Sequence, residues 1–244
     1  MSTRCWGAFA LPACASAATP RQSGVMMKID FVSDVSCPWC AIGLAALEQA
    51  LERVGPEVQA TLHFQPFELN PQMAPEGEDI TEHLGRKYGI NAAQIAANSE
   101  AIRQRGAALG FSFGQGQRKR IYNTFDAHRL LHWAALDDLD TQHALKKALF
   151  KAYFTDGLDP SDHALLARLA TEVGLDGAEA AALLASDRFA DEVRATETLY
   201  QQHGISAVPA VIINEQYLIS GGQPPEVFEQ ALRQIAQGPV ADGA

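Results

Sequence analysis

The stretch Ile29–Cys40, IDFVSDVSCPWC, contains the features on which the fold prediction depends. Its first four residues include β-branched and aromatic side chains that alternate with a charge, which predicts a short strand. After a turn, apolar residues recur at helical spacing from Pro38 until the Gly-Pro pair at 55–56 ends the helix. Cys37 and Cys40, separated by two residues, therefore lie where a strand passes into a helix.

The segment after this helix predicts a parallel α/β unit followed by a helical block. Val58–Phe67 forms a second predicted strand, and two strands joined by one helix close as a right-handed parallel pair. From residue 73 to residue 187, helical patterns are punctuated by Gly, Pro and Asp, which predicts an all-α insertion. Its predicted helices are Ile80–Tyr88, Ala92–Leu109, Lys119–Leu136, Thr141–Phe154, Ser161–Val173 and Ala178–Leu184.

Strand patterns return in the C-terminal part of the chain. A predicted helix, Arg188–His203, precedes two short strands, Ala210–Ile213 and Gln216–Ser220, with Asn214-Glu215 as the hairpin turn. A last helix begins at residues 224–226. The predicted organisation is one α/β domain formed by residues 27–72 and 188–240, with residues 73–187 inserted into it.

Residues 1–26 are interpreted as an N-terminal extension that is disordered or precedes a miscalled start. The apolar run Cys5–Cys14, followed by Ala15-Ser16-Ala17, resembles a secretory signal, but Pro12 interrupts it. We therefore predict a cytoplasmic protein, with the periplasm as the alternative if this segment is a cleaved signal.

Composition and charge exclude two classes of partner. The 244 residues are 47% hydrophobic and 20% charged, which is typical of a folded globular protein, and no run approaches the roughly 18 apolar residues of a membrane-spanning helix. The net charge of −10 argues against nucleic-acid binding. The basic cluster Arg118-Lys119-Arg120 is interpreted as a solvated helix start. The sequence predicts no oligomeric state.

The position of the cysteine pair predicts redox chemistry. Cys37 would occupy the N-cap region and Pro38 the first helical turn, where a missing N–H costs nothing. Free N–H groups and the positive end of the helix favour a thiolate, lowering the Cys37 pKa from about 8.5 toward the range of about 3.5 to 7. We therefore predict that Cys37 is the nucleophile and that Cys40 attacks the resulting mixed disulfide.

Three alternatives to a reactive dithiol are open. A zinc site would need a second ligand pair, and only Cys5 and Cys14 remain among the four cysteines. A structural disulfide between Cys37 and Cys40 would close a loop too short to constrain the unfolded chain much. A redox-inert scaffold would keep its function when both cysteines are replaced.

Two further elements could contribute to a site. Val208-Pro209 precedes a predicted core strand, so Pro209 is expected at a cis bond or a sheet edge, or as a plain turn residue. His128 and His132 share one helix face but have no evident third ligand, and we interpret them as packing residues. No metal site is predicted.

Four segments carry a family resemblance: Asp34–Cys40, Asn123–Leu130, Val208–Ala210 and Ser220–Phe228. Through them the chain resembles the DsbA family of thioredoxin-fold oxidoreductases, and specifically its FrnE-like branch, from Lys28 to about Gln237. This resemblance implies a thioredoxin-like domain whose helical insertion covers the dithiol, with Cys37 attacking, Cys40 resolving and Pro209 in the cis form. It also implies substrate contacts at Pro38, Trp39, Val208 and Pro209, and a thiol or disulfide substrate, either protein or small molecule.

Two departures from related patterns refine the expected function. The same superfamily includes 2-hydroxychromene-2-carboxylate isomerases and kappa-class glutathione transferases, which use serine where this chain has Cys37. A glutathione-dependent isomerase or transferase is therefore the alternative, with glutathione as co-substrate; otherwise no cofactor beyond the redox-active pair is expected. Strongly oxidising members carry a His before the second cysteine, where Trp39 stands. We therefore expect a reduction potential below about −120 mV and nearer about −270 mV.

Overall fold

The computed structural model describes residues 24–238. Its strands are β1 (Val25–Ser33), β2 (Val58–Pro66), β3 (Glu78–Asp79), β4 (Arg120–Ile121), β5 (Ala210–Ile213) and β6 (Tyr217–Ser220). Its helices are α1 (Pro38–Val54), α2 (Ile80–Tyr88), α3 (Ala92–Ala108), α4 (Phe125–Asp137), α5 (Leu139–Phe150), α6 (His163–Glu172), α7 (Gly177–Leu184), α8 (Ala190–Gln202) and α9 (Pro225–Gln237). A π-helical turn at residues 151–155 continues α5.

The main sheet has the strand order β2-β1-β5-β6. β1 and β2 are parallel, whereas β5 is antiparallel to both β1 and β6. The predicted turn at Asn214-Glu215 joins β5 to β6, and both residues have positive φ angles, 51° and 59°, as a tight hairpin requires. The predicted βαβ unit and the C-terminal hairpin are therefore confirmed.

Strand β1 buries both of its faces because helices pack on each side of the sheet. Ile29 and Phe31 belong to the core that α1 and α9 share with the sheet. Val32 points the opposite way and packs with Phe67 and Ile205, beside α8. Burying each such side chain stabilises the fold by about 1.5–3 kcal/mol. This alternation holds the C-terminal end of β1, from which the Cys37 turn departs, between two packed layers.

The insertion has its own core and is attached to the edge strand β2. Helices α4 to α7 enclose Leu130, Leu145 and Leu166, which are fully or almost fully buried. Gln142 of α5 accepts a hydrogen bond from Phe64 N at 3.0 Å and donates one to Phe64 O at 3.0 Å. An edge strand otherwise leaves such backbone groups unpaired. The large helical insertion is therefore confirmed, whereas its boundaries at residues 72/73 and 187/188 stay predictions.

Two predictions for the insertion are wrong. The predicted helix Lys119–Leu136 begins only at Phe125, because residues 120–121 form β4, which pairs with β3 in a two-stranded sheet. The insertion is therefore not all-α. The predicted helix Thr141–Phe154 is confirmed, although it begins at Leu139 and its last turn, after Phe150, is π-helical.

Two interpretations of exposed segments also need correction. The predicted N-terminal extension includes Val25 and Met26, but these residues begin β1, where they pair with Val58 and Gln59. Gly24 precedes this strand, and residues 1–23 of the extension lie outside the described residues. Arg118 does not begin a solvated helix, since its guanidinium lies 5.3 Å from the Tyr153 ring centroid. Its neighbour in the basic cluster, Arg120, donates to backbone carbonyls at residues 76 and 77.

Within residues 24–238, no helix combines the length and the apolar character that crossing a bilayer requires.

Candidate active site

The turn between β1 and α1 is held by a buried carboxylate. Asp34 Oδ1 accepts a hydrogen bond from Ser36 N at 3.0 Å, and Oδ2 accepts one from Leu69 N at 2.6 Å. The Asp34 carbonyl in turn accepts from Cys37 N at 3.2 Å. Asp34 therefore ties the turn that carries Cys37 to the segment following β2.

Cys37 and Cys40 differ in their access to solvent. Cys37 is the N-cap residue of α1 and Pro38 stands in the first turn, as predicted. Cys37 is 4% exposed and Cys40 is 0% exposed. No side chain caps the helix, so its free N–H groups are left beside the Cys37 thiol. A substrate can therefore reach Cys37 before Cys40.

The two thiols also differ in acidity. The hydrogen bond from the Cys40 thiol lowers the Cys37 pKa, and this effect outweighs the opposing effect of burial. Burial raises the Cys40 pKa well above its ordinary value, and the hydrogen bond to Cys37 and the charge of Cys37 add to the rise. The Cys37 thiol therefore loses its proton at a lower pH than the Cys40 thiol.

A loop before β5 closes over the dithiol. The Val208–Pro209 peptide bond is cis, and the Cys37 thiol donates to the Val208 carbonyl at 3.6 Å. Two glycines allow this close approach. A Cβ atom at Gly43 would lie 3.0 Å from Pro209 Cγ, and one at Gly222 would lie 3.0 Å from Trp39 O. The structure thus brings together all six residues predicted for the site.

Exposed aromatic side chains lie near Cys37. Trp39 is 41% exposed and Tyr88, at the end of α2, is 58% exposed. Burial of its hydroxyl and, after it, the charge of Cys37 raise the pKa of Tyr88. The neighbouring Lys87 donates to Leu69 O at 2.9 Å. The insertion therefore contributes an aromatic and a cation to the rim of the dithiol.

Sequence reasoning missed the buried charges beneath the dithiol. His128 Nε2 lies 3.8 Å from Asp34 Oδ1, and both side chains are buried. Burial opposes ionisation of Asp34, but His128 and the backbone donors hold its pKa below the usual value. Lys146 is also completely buried. A signal for Lys146 was present in the sequence, because helical spacing places it on one stripe with Leu149 and Phe150.

The structure also bears on the metal interpretation and on the residues around helix α4. No group of three or more His, Cys, Asp or Glu side chains in residues 24–238 is arranged to hold a metal ion. Cys5 and Cys14, which the zinc alternative needs, lie outside that range. The His132 ring packs 5.1 Å from that of Phe189, in agreement with a packing role. Asn123 Oδ1 accepts a hydrogen bond from Phe125 N at 2.8 Å, while Thr124 is the N-cap residue of α4.

A family model for the DSBA-like thioredoxin domain matches residues 28–233. The chain belongs to this family. It is 29% identical over 207 residues to YwbO, an uncharacterized protein of Bacillus subtilis (strain 168), with 84% of this chain and 96% of that protein covered. The predicted family and the thioredoxin-like fold with a helical insertion are therefore confirmed.

Solved structures agree with this family assignment. The crystal structure of a probable DsbA oxidoreductase, SCO1869 from Streptomyces coelicolor, is 34% identical with a TM-score of 0.80, and covers 89% of this chain and 93% of that one. A 2-hydroxychromene-2-carboxylate isomerase structure is 13% identical with a TM-score of 0.66, and covers 86% and 96%. The second likeness extends to the fold alone.

Proposed function

We propose that this protein is a thiol-disulfide oxidoreductase that works through Cys37 and Cys40. The proposal rests on the difference between the two thiols. Of the pair, Cys37 has the lowered pKa and lies at the N-terminus of α1, where no side chain caps the helix. Nucleophilic attack on a disulfide requires a thiolate that the substrate can reach. The likeness to the probable DsbA oxidoreductase supports the same chemistry.

The reaction proceeds in two exchanges. The Cys37 thiolate attacks one sulfur of a substrate disulfide, forming a mixed disulfide and releasing the first substrate thiolate. Cys40 then loses its proton, and its thiolate attacks the Cys37 sulfur. The Cys37–Cys40 disulfide forms, the bond to the substrate breaks, and the second substrate thiolate leaves. Run in reverse, the same steps oxidise a dithiol substrate.

The rim of the site suits an extended thiol or disulfide substrate. The Val208 carbonyl, 3.6 Å from Cys37 Sγ, offers a backbone acceptor, and Trp39 offers an exposed apolar face. In a reducing compartment the pair would act as a reductase or isomerase. We keep the prediction of a reduction potential below about −120 mV, since no imidazole stands between the cysteines to stabilise the thiolate.

Redox titration against glutathione tests the proposal, in a Cys5→Ser, Cys14→Ser background that leaves only the dithiol. We expect a two-electron midpoint and insulin reduction, both lost in Cys37→Ser and in Cys40→Ser. Only Cys40→Ser should accumulate a glutathione adduct, because its Cys37 thiolate remains and nothing resolves the bond. Saturable glutathione binding without a reversible disulfide would instead support the isomerase or transferase alternative.

A further inference from the structure

A cavity that is separate from the exchange site lies between helix α1 and the insertion. It has a volume of about 400 Å³. Its walls are formed by α1, by the end of α5 with the π-helical turn, and by the loop 110–112 that follows α3. None of the six residues predicted for the dithiol site is among the residues that line it. A molecule bound here would therefore not occupy the place of the disulfide substrate.

The surface of this cavity is mostly apolar. Ala41, Leu44 and Ala45 line it from α1, where their spacing puts them on one helix face. Phe111 lines it from the loop and Phe150 from α5. Small-molecule sites are typically concave, about 300–1,000 Å³ in volume, and mainly apolar with a few polar groups that orient the ligand. The cavity has these properties, and its lining favours an apolar chain in its interior.

Hydrogen bonds hold the three walls of the cavity together. The Thr155 hydroxyl donates to Ser112 O at 2.5 Å, which ties the loop to the π-helical turn. The Gln49 amide donates to Leu109 O at 3.2 Å, which ties the start of the same loop to α1. π-helical turns are rare and are frequently found at functional sites. The cavity is therefore preformed, and a ligand would not need to order its walls.

Two exposed lysines, Lys147 and Lys151, line the mouth of the cavity one helical turn apart. Lys147 Nζ lies 2.8 Å from Glu48 Oε1, and Lys151 Nζ lies 2.7 Å from Asp156 Oδ2. Glu48, the acidic residue of the lining, also pairs with His143 at 2.7 Å. An ammonium has three N–H donors, and within residues 24–238 each of these lysines donates one hydrogen bond. An anionic group at the mouth would therefore find free donors on both lysines.

We propose that this cavity binds a medium-chain alkyl carboxylate, with the alkyl chain between α1 and α5 and the carboxylate at Lys147 and Lys151. The apolar interior accounts for the chain, and the two ammonium groups at the mouth account for the acid. A water molecule occupies about 30 Å³ in the liquid, so the cavity accommodates about a dozen non-hydrogen atoms of similar size. Decanoate has this size and is the probe of choice.

Isothermal titration calorimetry with decanoate, below its micelle-forming concentration, tests the proposal on the full chain at pH 7. We expect saturable binding of one decanoate per protein. Each buried CH₂ group contributes about 0.8 kcal/mol, a factor of about four in Kd, so octanoate should bind about 15-fold more weakly. Decanol should also bind more weakly than decanoate, because it lacks the charge. Equal affinity for decanoate and decanol, or no saturable binding of decanoate, would overturn the proposal.

Substitutions at the wall and at the mouth locate the bound molecule. Ala45→Trp fills the cavity from α1 and should abolish binding; if it does not fold, as judged by circular dichroism, Ala45→Leu replaces it. Lys147→Gln combined with Lys151→Gln should raise the Kd for decanoate about fivefold. Lys119→Gln is the matched control, because Lys119 is an exposed lysine of the insertion that does not line the cavity. Its Kd should equal that of the wild type.

Two further variants separate this cavity from the dithiol. Decanoate should bind Cys37→Ser and Trp39→Ala as it binds the wild type, since neither residue lines the cavity. Loss of binding in Trp39→Ala with binding retained in Ala45→Trp would place decanoate on the rim of the dithiol and overturn the proposal. Because decanoate binding does not depend on disulfide exchange, a protein without redox activity would refute the proposed function and leave this test intact.

Discussion

The two sides of helix α1 differ in the kind of contact that they make. Toward β5 and α9, contacts depend on shape, because Gly43 and Gly222 let Pro209 and Trp39 approach closely. Toward the insertion, the interior contains charges, among them Asp34 and the fully buried Lys146. The close contacts toward β5 and α9 position Cys37 for a substrate, whereas the buried charges toward the insertion shift the pKa values of the groups beneath the dithiol. Substitutions on the two sides should therefore have different consequences.

The largest expected effect is the loss of the carboxylate under the turn. In Asp34→Ala, the N–H groups of Ser36 and Leu69 lose their acceptor, and the buried ring of His128 loses the carboxylate that lies 3.8 Å from its Nε2 atom. The free energy of unfolding should fall by about 3–4 kcal/mol, as measured by urea denaturation. Asp34→Asn, which keeps one acceptor oxygen, should lose less. A loss below about 1 kcal/mol in the alanine variant would show that charge on this side contributes little to stability.

Lys146→Met should act in the opposite direction and stabilise the fold. Replacing a buried ammonium that has no hydrogen-bond partner within residues 24–238 by an apolar side chain should raise the free energy of unfolding at pH 7 by about 2 kcal/mol. The folded pKa is about 8 and the unfolded value is 10.5, so the unfolded state binds more protons between these values. Wild-type stability should therefore rise with pH across that window.

Urea denaturation of both proteins between pH 7 and pH 11 measures this difference. The variant's advantage should be complete below pH 8 and should vanish above about pH 10.5. Lys147→Met serves as the control, since its ammonium is largely exposed and pairs with Glu48. A constant advantage across the whole range would mean that packing, and not the buried charge, is responsible.

A substitution on the side of α1 that faces β5 and α9 should lower the free energy of unfolding by a smaller amount. A methyl group at Gly222 would press on Trp39 O at 3.0 Å and on Trp39 Cε3 at 3.3 Å. Gly222→Ala should therefore lower the free energy of unfolding by about 1 kcal/mol and change the rate at which iodoacetamide alkylates Cys37. Ser220→Ala, at the exposed end of β6, should change neither quantity.

The smallest expected effect concerns a carboxylate pair on the charged side. Burial raises the pKa of Glu68, and the charge of Glu197 adds to that rise. Burial also raises the pKa of Glu197. Arg194 forms ion pairs with both carboxylates and opposes these shifts. Because the folded pKa values exceed the unfolded value of 4.5, this pair lowers stability as pH rises from 4.5 through the folded values.

Glu197→Gln should remove part of that pH dependence. Relative to wild type, the variant should gain stability between pH 4 and pH 7, by less than about 1 kcal/mol, because Arg194 is partly exposed and screened. Thermal unfolding at the two pH values measures the change. A variant that loses stability at pH 7 would show that the Arg194 ion pair outweighs the cost of the buried acid.

Local patterns account for much of what could be predicted. Strand β1, helix α1 and the hairpin at Asn214-Glu215 follow from side-chain alternation, helical spacing and turn chemistry, and the structure confirms them. Strand β4 could not be predicted, because two residues pair with β3 only through a distant part of the chain. The position of the dithiol at the N-terminus of α1 needed no tertiary information.

The sequence by itself determined the strand–turn–helix unit that places Cys37 at a helix start, because both depend on residues close in the chain. Only the tertiary structure decided what lies beneath Cys40. Asp34, His128 and Lys146 come from three separate segments, and packing of the insertion against β2 brings them together. The shifted pKa values of Asp34 and Lys146 depend on burial and on charges that meet only in the folded chain, so no spacing rule could have predicted them.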